Sequence, residues 1–207
     1  MRNSESISKA LKEIFNVDLN KYWDEAEEIN NEIKRALGND FRYALSETKR
    51  YILYSIIKYY NPDIVIETGV GPGVSSTIIL SALEKGTLYS IDVRETLENG
   101  KQVGFLVQEQ LRSKWKLYIG RSRDILPDLL KRLGKVDIFL HDSEHTFENV
   151  TFELNIVWDY LRNGGVLLID NLDFTKAPYY FAKQKGVKLY KLTNEAGGLG
   201  IIIKSWK

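Results

Sequence analysis

Five short apolar runs, separated by stretches with helical character, occupy the region between residues 63 and 171. The runs are apolar almost without a break, which is typical of strands that other elements cover on both faces. Strands that alternate with helices form a parallel sheet with helices on both sides. The predicted strands are DIVIETG (63–69), LYSID (88–92), KLYIG (116–120), VDIFLHD (136–142) and GVLLIDN (165–171), and the predicted helices span 74–85, 95–113, 123–133 and 148–162.

The two ends of the chain depart from this alternation. Three helices are predicted before the first strand, over residues 4–15, 19–37 and 46–60. After the fifth strand, VKLYKL (187–192) and GIIIKSW (200–206) are separated by a loop too short for a crossover helix, so they are predicted to pair antiparallel. The sequence therefore predicts an α/β fold with seven strands, in which a mostly parallel sheet ends in an antiparallel C-terminal pair.

Composition narrows the kinds of site that the chain can hold. It has no cysteine, which excludes disulfides, thiolate catalysis and cysteine-ligated zinc. Its 29 basic and 28 acidic residues give a net charge of +1, so no overall positive field favours nucleic acid or a membrane surface. No run approaches the roughly 18 apolar residues of a membrane span, and the N-terminus lacks a secretory apolar core. We therefore expect a cytoplasmic protein with a small-molecule ligand.

The first predicted strand runs into a glycine-rich loop, ETGVGPG (67–73). Its glycines allow a tight turn and a close approach to a ligand, and the helix behind them begins with unpaired N–H groups. Asp92, at the end of the next strand, can accept hydrogen bonds from two ribose hydroxyls. Val74 stands where the dinucleotide-binding fingerprint has its third glycine. The loop and Asp92 together predict a site for a nucleoside-containing cofactor.

This combination resembles the class I S-adenosylmethionine-dependent methyltransferases, whose Rossmann-like seven-stranded sheet also ends in an antiparallel pair. The resemblance covers roughly residues 45–207. It implies that Asp92 binds the ribose and that Ser122 and Ser143 lie near the adenine. The residues that it implies for the methionine side of the cofactor are Glu67, Gly69, Gly71 and Gly73, and the further candidate cofactor contacts are Ser75 and Asp142.

Oxygen-bearing side chains follow the fourth and fifth strands. Asp142 ends one, and Asp170 and Asn171 end the other. Neighbouring strands lie about 4.8 Å apart, so the three side chains should converge at one edge of the sheet. Their oxygens suit a hard cation such as Mg²⁺, and two acids would repel each other without one. The alternative is that Asp142 only orients the cofactor and that Asp170 and Asn171 only cap a strand.

The same three positions resemble the divalent-metal-dependent O-methyltransferases, including the catechol-type enzymes. Those enzymes carry a lysine base three residues after the first aspartate, whereas this chain has His145. The segment DSEHTFENV is more similar to a methyltransferase group with a D-x-x-H motif, the domain 24-like group, which includes sugar O-methyltransferases. His145 is mostly neutral at pH 7 and can accept a hydroxyl proton. Strand alternation points His141 away from Asp142 and predicts a structural role for it.

These features together predict an S-adenosylmethionine-dependent methyltransferase that methylates an oxygen of a small hydroxylated substrate with the help of a divalent metal and a histidine base, and Asp142 and His145 are its predicted catalytic residues. The alternatives are a metal-independent methyltransferase acting on a sugar, an amine or a protein side chain, a nicotinamide-dependent oxidoreductase, and a cofactor-binding module without catalysis. A homodimer is also expected, because dimers are common in the family that the chain resembles.

The N-terminal region and several loop residues are expected to complete the pocket. Residues 1–45 are predicted to form a helical cap over it, next to one compact domain over 46–207. Glu195, between the last two strands, is a candidate to face the acceptor. The candidate substrate walls are Trp23, Phe41, Tyr43, Phe174, Tyr179 and Tyr180.

Overall fold

A single seven-stranded sheet with helices on both faces organises the computed structural model, which describes residues 2–38 and 44–205. The helices are α1 (Arg2–Phe15), α2 (Trp23–Leu37), α3 (Glu47–Tyr60), α4 (Val74–Ala82), α5 (Ser122–Leu133), α6 (Phe147–Tyr160) and α7 (Ala177–Lys185). The strands are β1 (Ile64–Thr68), β2 (Thr87–Asp92), β3 (Trp115–Ile119), β4 (Val136–His141), β5 (Leu161–Asp170), β6 (Leu189–Thr193) and β7 (Leu199–Ile203).

The strand order is β3-β2-β1-β4-β5-β7-β6, and the first five strands in that order run parallel. β7 lies antiparallel between β5 and β6. The predicted fold class and the antiparallel C-terminal pair are therefore confirmed. The order reverses between β1 and β4, and a parallel sheet opens a ligand crevice at such a point, outside the carboxyl ends of its strands.

Side-chain alternation along the strands divides the hydrophobic core into two layers. On β4, Ile138 and Leu140 pack into the layer that α1 to α4 cover. Phe139, between them, packs into the layer that α5 to α7 cover. All three side chains are buried, so other elements cover both faces of β4, as its continuous apolar run predicts.

The predicted helix over 95–113 is wrong. The segment is mostly loop, with an isolated bridge between Thr96 and Gln102 and a short 3-10 turn at Glu109–Lys114. Gly104 has a φ of 71°, and a Cβ there would lie within 3.0 Å of the Trp115 ring. Its N–H donates to the carbonyl of Gly71. Tertiary contacts with the glycine loop therefore override the local helical pattern.

Smaller differences concern the ends of elements. The predicted second helix begins as a 3-10 turn at Leu19–Tyr22, because the Asp18 carboxylate accepts from the backbone N–H of Asn20. α4 ends at Ala82, before its predicted end, and α7 is not predicted by the sequence pattern at all.

Among the described helices, none combines the length and apolar character that crossing a membrane requires.

Candidate active site

A cavity of about 1140 Å³ opens at the carboxyl ends of β1, β2, β4 and β5. Its volume suits a cofactor together with a small acceptor, since ligand sites commonly measure about 300–1,000 Å³. One end is formed by the glycine loop, Asp92 and the start of α5. The other end is formed by the β4–α6 loop, the end of β5 and Lys49. The site thus lies where the strand order reverses, between β1 and β4.

Gly69 brings the loops after β1 and β4 into contact. Its φ is 83°, a left-handed conformation that favours glycine. A Cβ at this position would lie 2.6 Å from the carbonyl carbon of Asp142 and closer still to its oxygen. Gly71, with a φ of 52°, also lines the cavity. The absence of a side chain at Gly69 therefore lets the two loops pack together, and Gly71 contributes backbone to the cavity wall.

Glu67 and Gly73 do not line the cavity, so their predicted contacts with a cofactor are corrected. The Glu67 carboxylate is fully buried behind the loop and accepts hydrogen bonds from Ser75, Ser76 and Ser90 at 2.5–2.6 Å. Burial raises the pKa of Glu67, while the three hydroxyls favour its charged form. A Cβ on Gly73 would lie 2.8 Å from the Cα of Gly104. These residues shape the loop from behind.

Asp92 lines the cavity and supports the glycine loop at the same time. One carboxylate oxygen accepts from the backbone N–H groups of Val70 and Gly71, at 2.9 and 3.0 Å. The other accepts from the N–H of Arg94 at 2.9 Å. A carboxylate has about four lone-pair sites and three of them are occupied here, so Asp92 retains about one site for a ribose hydroxyl.

Three predicted serines also reach the cavity, each already engaged by a neighbour. Ser75 donates to Glu67 at 2.5 Å, and Ser122 donates to Asn149 at 3.5 Å. The Asn149 amide donates in turn to the Ser143 hydroxyl at 3.2 Å. Asn149, on the first turn of α6, lines the cavity and was missed by sequence reasoning. Its polar side chain beside a strand end is the one signal that could have indicated it.

Asp142, Asp170 and Asn171 converge at one end of the cavity, as the strand ends predict. Burial raises the pKa of Asp142 well above its usual value, and the negative charge of Asp170 raises it further. Lys49, which sequence reasoning missed, partly offsets this charge. Its ammonium is 1% exposed and donates to the Asp170 carboxylate at 2.5 Å and to the carbonyl of Ala196 at 2.8 Å.

The residue types at this end suit a divalent cation. One oxygen of Asp170 bonds Lys49, and Asp170 also shares a hydrogen bond with Asp142; hydrogen bonds that orient a ligating carboxylate are usual in metal sites. Within residues 2–38 and 44–205, no three His, Cys, Asp or Glu side chains are grouped as possible ligands. A cation here would therefore rely on two carboxylates and the amide oxygen of Asn171.

His145 lies beside these acids and faces the cavity. Its Nε2 lies 2.9 Å from the amide nitrogen of Asn171 and 4.0 Å from a carboxylate oxygen of Asp142. Burial, and the repulsion between two charged rings that protonation next to His141 would create, lower the pKa of His145 to about 4. The imidazole is therefore neutral at pH 7, as a proton acceptor must be.

His141 points away from Asp142, as strand alternation predicts, and is fully buried. Its Nδ1 lies 2.6 Å from a carboxylate oxygen of Glu153 on α6, and its Nε2 lies 3.2 Å from Nδ1 of His145. Burial opposes ionisation of Glu153, but the hydrogen bond from His141 outweighs it and lowers the pKa of that carboxyl. His141 thus links a buried acid to the histidine in the cavity.

Glu195 and Phe174 are two further residues that were predicted to lie near the acceptor, and only one of them lines the cavity. Glu195 does not line the cavity, and its carboxylate accepts from Ser46 and Thr48 at the start of α3. This corrects its predicted role at the acceptor. Phe174 lines the cavity and packs edge-on against His145, with ring centroids 5.5 Å apart.

The expected helical cap contributes little to the cavity wall. No residue of 2–38 lines the cavity; of the cap, Ala44 and Leu45 do. Trp23 instead packs against Tyr51 of α3, with centroids 5.7 Å apart. The exposed side chains of Tyr179 and Tyr180 also lie outside the wall. Phe41 and Tyr43 fall outside the described residues.

Comparison with known proteins identifies a family and a fold. Residues 66–172, just over half of the chain, match the model of a family described as a methyltransferase domain. Catechol O-methyltransferase of Mus musculus is 24% identical over 157 residues, which cover 72% of this chain and 57% of that enzyme. The chain thus spans little more than half the length of that relative.

Solved structures of O-methyltransferases share the fold. TomG of Streptomyces achromogenes, involved in tomaymycin synthesis and bound to S-adenosylmethionine, matches with a TM-score of 0.65 and 16% identity, over 87% of this chain and 89% of TomG. An O-methyltransferase of Bacillus cereus, in complex with S-adenosylhomocysteine, matches with a TM-score of 0.62 and 14% identity, over 96% and 97% of the two chains.

Proposed function

The chain belongs to the family of methyltransferase domains, and from this premise we propose that it transfers a methyl group from S-adenosylmethionine to a hydroxyl oxygen of a small molecule. One observation carries the proposal. A neutral histidine and a pair of acids, of which Asp170 is buried, share a single cavity with a glycine loop and a ribose-type aspartate. Such a cavity brings a cofactor site and a proton acceptor together.

The fit to the cofactor rests on the loop after β1 and on the end of β2. Gly69 lets the loops after β1 and β4 pack closely, Gly71 contributes backbone to the cavity wall, and Asp92 offers a remaining lone pair for a ribose hydroxyl. When bound, S-adenosylmethionine supplies a methyl group already activated by a positively charged sulfur. The chain must then orient an acceptor oxygen in line at about 3 Å and keep water out.

His145 supplies the proton acceptor in this proposal. The acceptor's hydroxyl proton goes to Nε2 of His145 while its oxygen forms the new O–C bond. The electrons of the broken C–S bond return to sulfur, which becomes neutral. Phe174 covers His145 from the side and provides an apolar wall for an acceptor. General-base assistance of this kind typically contributes about 10²–10⁴-fold.

The finer proposal is that a divalent cation such as Mg²⁺ assists. Asp142, Asp170 and Asn171 would hold it, and it would supply positive charge that lowers the pKa of a hydroxyl group. A second candidate function dispenses with the metal and allows a sugar, an amine or a protein side chain as acceptor. The buried ammonium of Lys49 favours this second candidate, because it already places a positive charge on Asp170.

Chelation separates the two candidates. We expect treatment with EDTA to lower the rate of methyl transfer at least about tenfold, and added Mg²⁺ to restore it. The measurement is transfer of labelled methyl from S-adenosylmethionine to a panel of small hydroxylated acceptors. Full activity after chelation would establish the metal-independent candidate instead.

Calorimetry with S-adenosylhomocysteine and with NADH, in the same preparation, tests the cofactor class; binding of NADH alone would contradict both candidates.

Removal of the proton acceptor is the second test. His145→Ala is expected to lower kcat about a hundredfold, with the affinity for S-adenosylhomocysteine changed less than about threefold. Free imidazole should restore part of the rate, since it can enter the space that the side chain leaves. Unchanged kcat in His145→Ala would show that another group takes the proton.

A further inference from the structure

Glu153 carries a fully buried carboxylate, which the packing of the core alone does not require. One oxygen accepts from the Thr68 hydroxyl at 2.7 Å and lies 2.6 Å from Nδ1 of His141. The other accepts from the Ser143 hydroxyl at 2.9 Å and from the Asn149 amide at 3.0 Å. Burying a charge is costly unless it is hydrogen-bonded, and four donors meet that requirement here.

The carboxylate determines where His141 carries its proton. An ionised acid only accepts hydrogen bonds, so Nδ1 of His141 must donate to Glu153. In a neutral imidazole, the other nitrogen then has no proton and can only accept. Nε2 of His141 is therefore an acceptor, and it lies 3.2 Å from Nδ1 of His145.

The same reasoning fixes His145. Its Nδ1 must donate to Nε2 of His141, which leaves Nε2 of His145 unprotonated. The Asn171 amide nitrogen lies 2.9 Å from this Nε2 and can only donate to it. Every donor in the series from Glu153 to Asn171 thus faces an acceptor. His145 and Asn171 both line the cavity, so an acceptor hydroxyl that displaces the Asn171 amide can donate to this lone pair.

We infer that Glu153 and His141 are positioning residues that hold His145 in the tautomer with its unprotonated Nε2 facing the acceptor. The inference rests on the proposed function for its catalytic meaning, but the tautomer itself is a property of the resting protein. His141 and Glu153 act through His145 and do not line the cavity. The ring-to-ring contact, with centroids 5.2 Å apart and planes nearly perpendicular, also limits rotation of His145.

The arrangement also assists His145 after it has taken a proton. A charged His145 donates from Nδ1 to His141 more strongly than a neutral one, because charge-assisted hydrogen bonds are stronger. The negative charge of Glu153 lies one ring further inward and stabilises the positive charge. The acceptor proton stays on Nε2, and no proton needs to leave the series.

The test uses the fact that the chain has only two histidines. Protein labelled with ¹⁵N-histidine gives two ring systems in long-range ¹H–¹⁵N spectra, and the ¹⁵N shifts report which nitrogen of each ring carries the proton. We expect both rings of the wild-type protein, with S-adenosylhomocysteine bound, to carry it on Nδ1. A proton on Nε2 of His145 in this state would overturn the inference without any variant.

Glu153→Gln then tests the consequence. The amide keeps the volume but can donate to His141, so we expect a mixed His145 tautomer and a kcat about 10–100-fold lower, in the range of residues that orient a site residue. The KM for S-adenosylmethionine should change less than about threefold. Glu153→Asp, which keeps the charge, should recover part of the loss. Asp159→Asn makes the same chemical change on an exposed part of α6 and should alter neither tautomer nor kcat.

The outcomes separate this inference from the proposed function. Wild-type protein that methylates no acceptor but shows both Nδ1–H rings would contradict the proposed function and support the tautomer assignment. Active wild-type protein whose His145 tautomer and kcat are both unaffected by Glu153→Gln would overturn the inference and leave the function intact.

Discussion

Gly69→Ala is expected to abolish detectable binding of S-adenosylhomocysteine. The new Cβ would overlap the carbonyl group of Asp142, and backbone atoms on both sides cannot move aside as a flexible side chain could. The hydrogen bond from Asp142 N–H to the carbonyl of Thr68 holds the two loops together at this point. Relief of the clash therefore requires the β1 and β4 loops to separate, which opens the floor of the cavity.

Gly100→Ala is the matched control. Gly100 has a φ of 79°, close to the 83° of Gly69, but a Cβ there meets nothing within 4 Å. The free energy of unfolding of this variant should fall by about 1–2 kcal/mol, which is the cost of a left-handed conformation for a residue with a Cβ. Its affinity for the cofactor should stay normal. Isothermal calorimetry measures the affinity and urea unfolding measures the stability. Equal affinities for the two alanine variants would contradict the close loop contact on which the cavity depends.

Lys49→Met is expected to lower the free energy of unfolding by about 3–5 kcal/mol, because it leaves the buried carboxylate of Asp170 without its cation. The methionine fills a similar volume, so the change removes mainly charge. The Asp170 side chain is only 7% exposed and cannot recover its hydrogen bond from water. Urea unfolding compares the variant with the wild type. A loss below about 1 kcal/mol would show that the acids are compensated in another way.

The control is Lys191→Met. Lys191 also lies 2.5 Å from a carboxylate oxygen, that of Asp173, but both side chains are over a third exposed. An exposed pair contributes about 0–1 kcal/mol, so this variant should remain close to wild-type stability. If Asp142 and Asp170 can hold a divalent cation, Mg²⁺ should restore part of the stability of Lys49→Met and leave Lys191→Met unchanged.

The effect of Lys49→Met should grow as the pH rises. The pKa of Asp142 is raised in the folded protein, so the folded state binds its proton more tightly and stability falls as the pH rises through that range. Lys49 lowers the pKa of Asp142, and its removal extends this range upward. The variant should therefore lose more stability, relative to the wild type, at the higher pH values of a series than at the lower ones. A smaller loss at the higher pH would contradict this sign.

The predicted convergence of Asp142, Asp170 and Asn171 follows from strand order alone. Parallel strands end at the same edge, so residues just after them meet there whatever the helices do. The position of Lys49 at this edge could not be predicted from strand order. It lies on the apolar stripe of α3 with Ile52, Leu53 and Ile56, where a single lysine is compatible with several helix orientations. Only the packing of α3 against the end of β5 gives it Asp170 as a partner.

Glu153, on the other face of the sheet, is a second residue whose partners could not be predicted from the sequence. In the sequence it is one acid among the charged and apolar residues of a helix, and a solvent-facing position is the ordinary expectation. In the fold, α6 turns it toward β4 and β1, where His141 and Thr68 respectively donate to it. The loop after β2 is a further case, since its pattern favours a helix and its contacts with Gly71 and Trp115 require a turn.

The sequence by itself determined the alternation of strands and helices, and through it the fold class, the cofactor loop and the edge at which the acids meet. These features depend on local periodicity and on residues that directly follow a strand. The tertiary structure alone decided the partners of Glu67, Glu153 and Lys49 and the orientation of His145. Those depend on the rotation of each helix about its axis, which is set by packing between residues far apart in the chain.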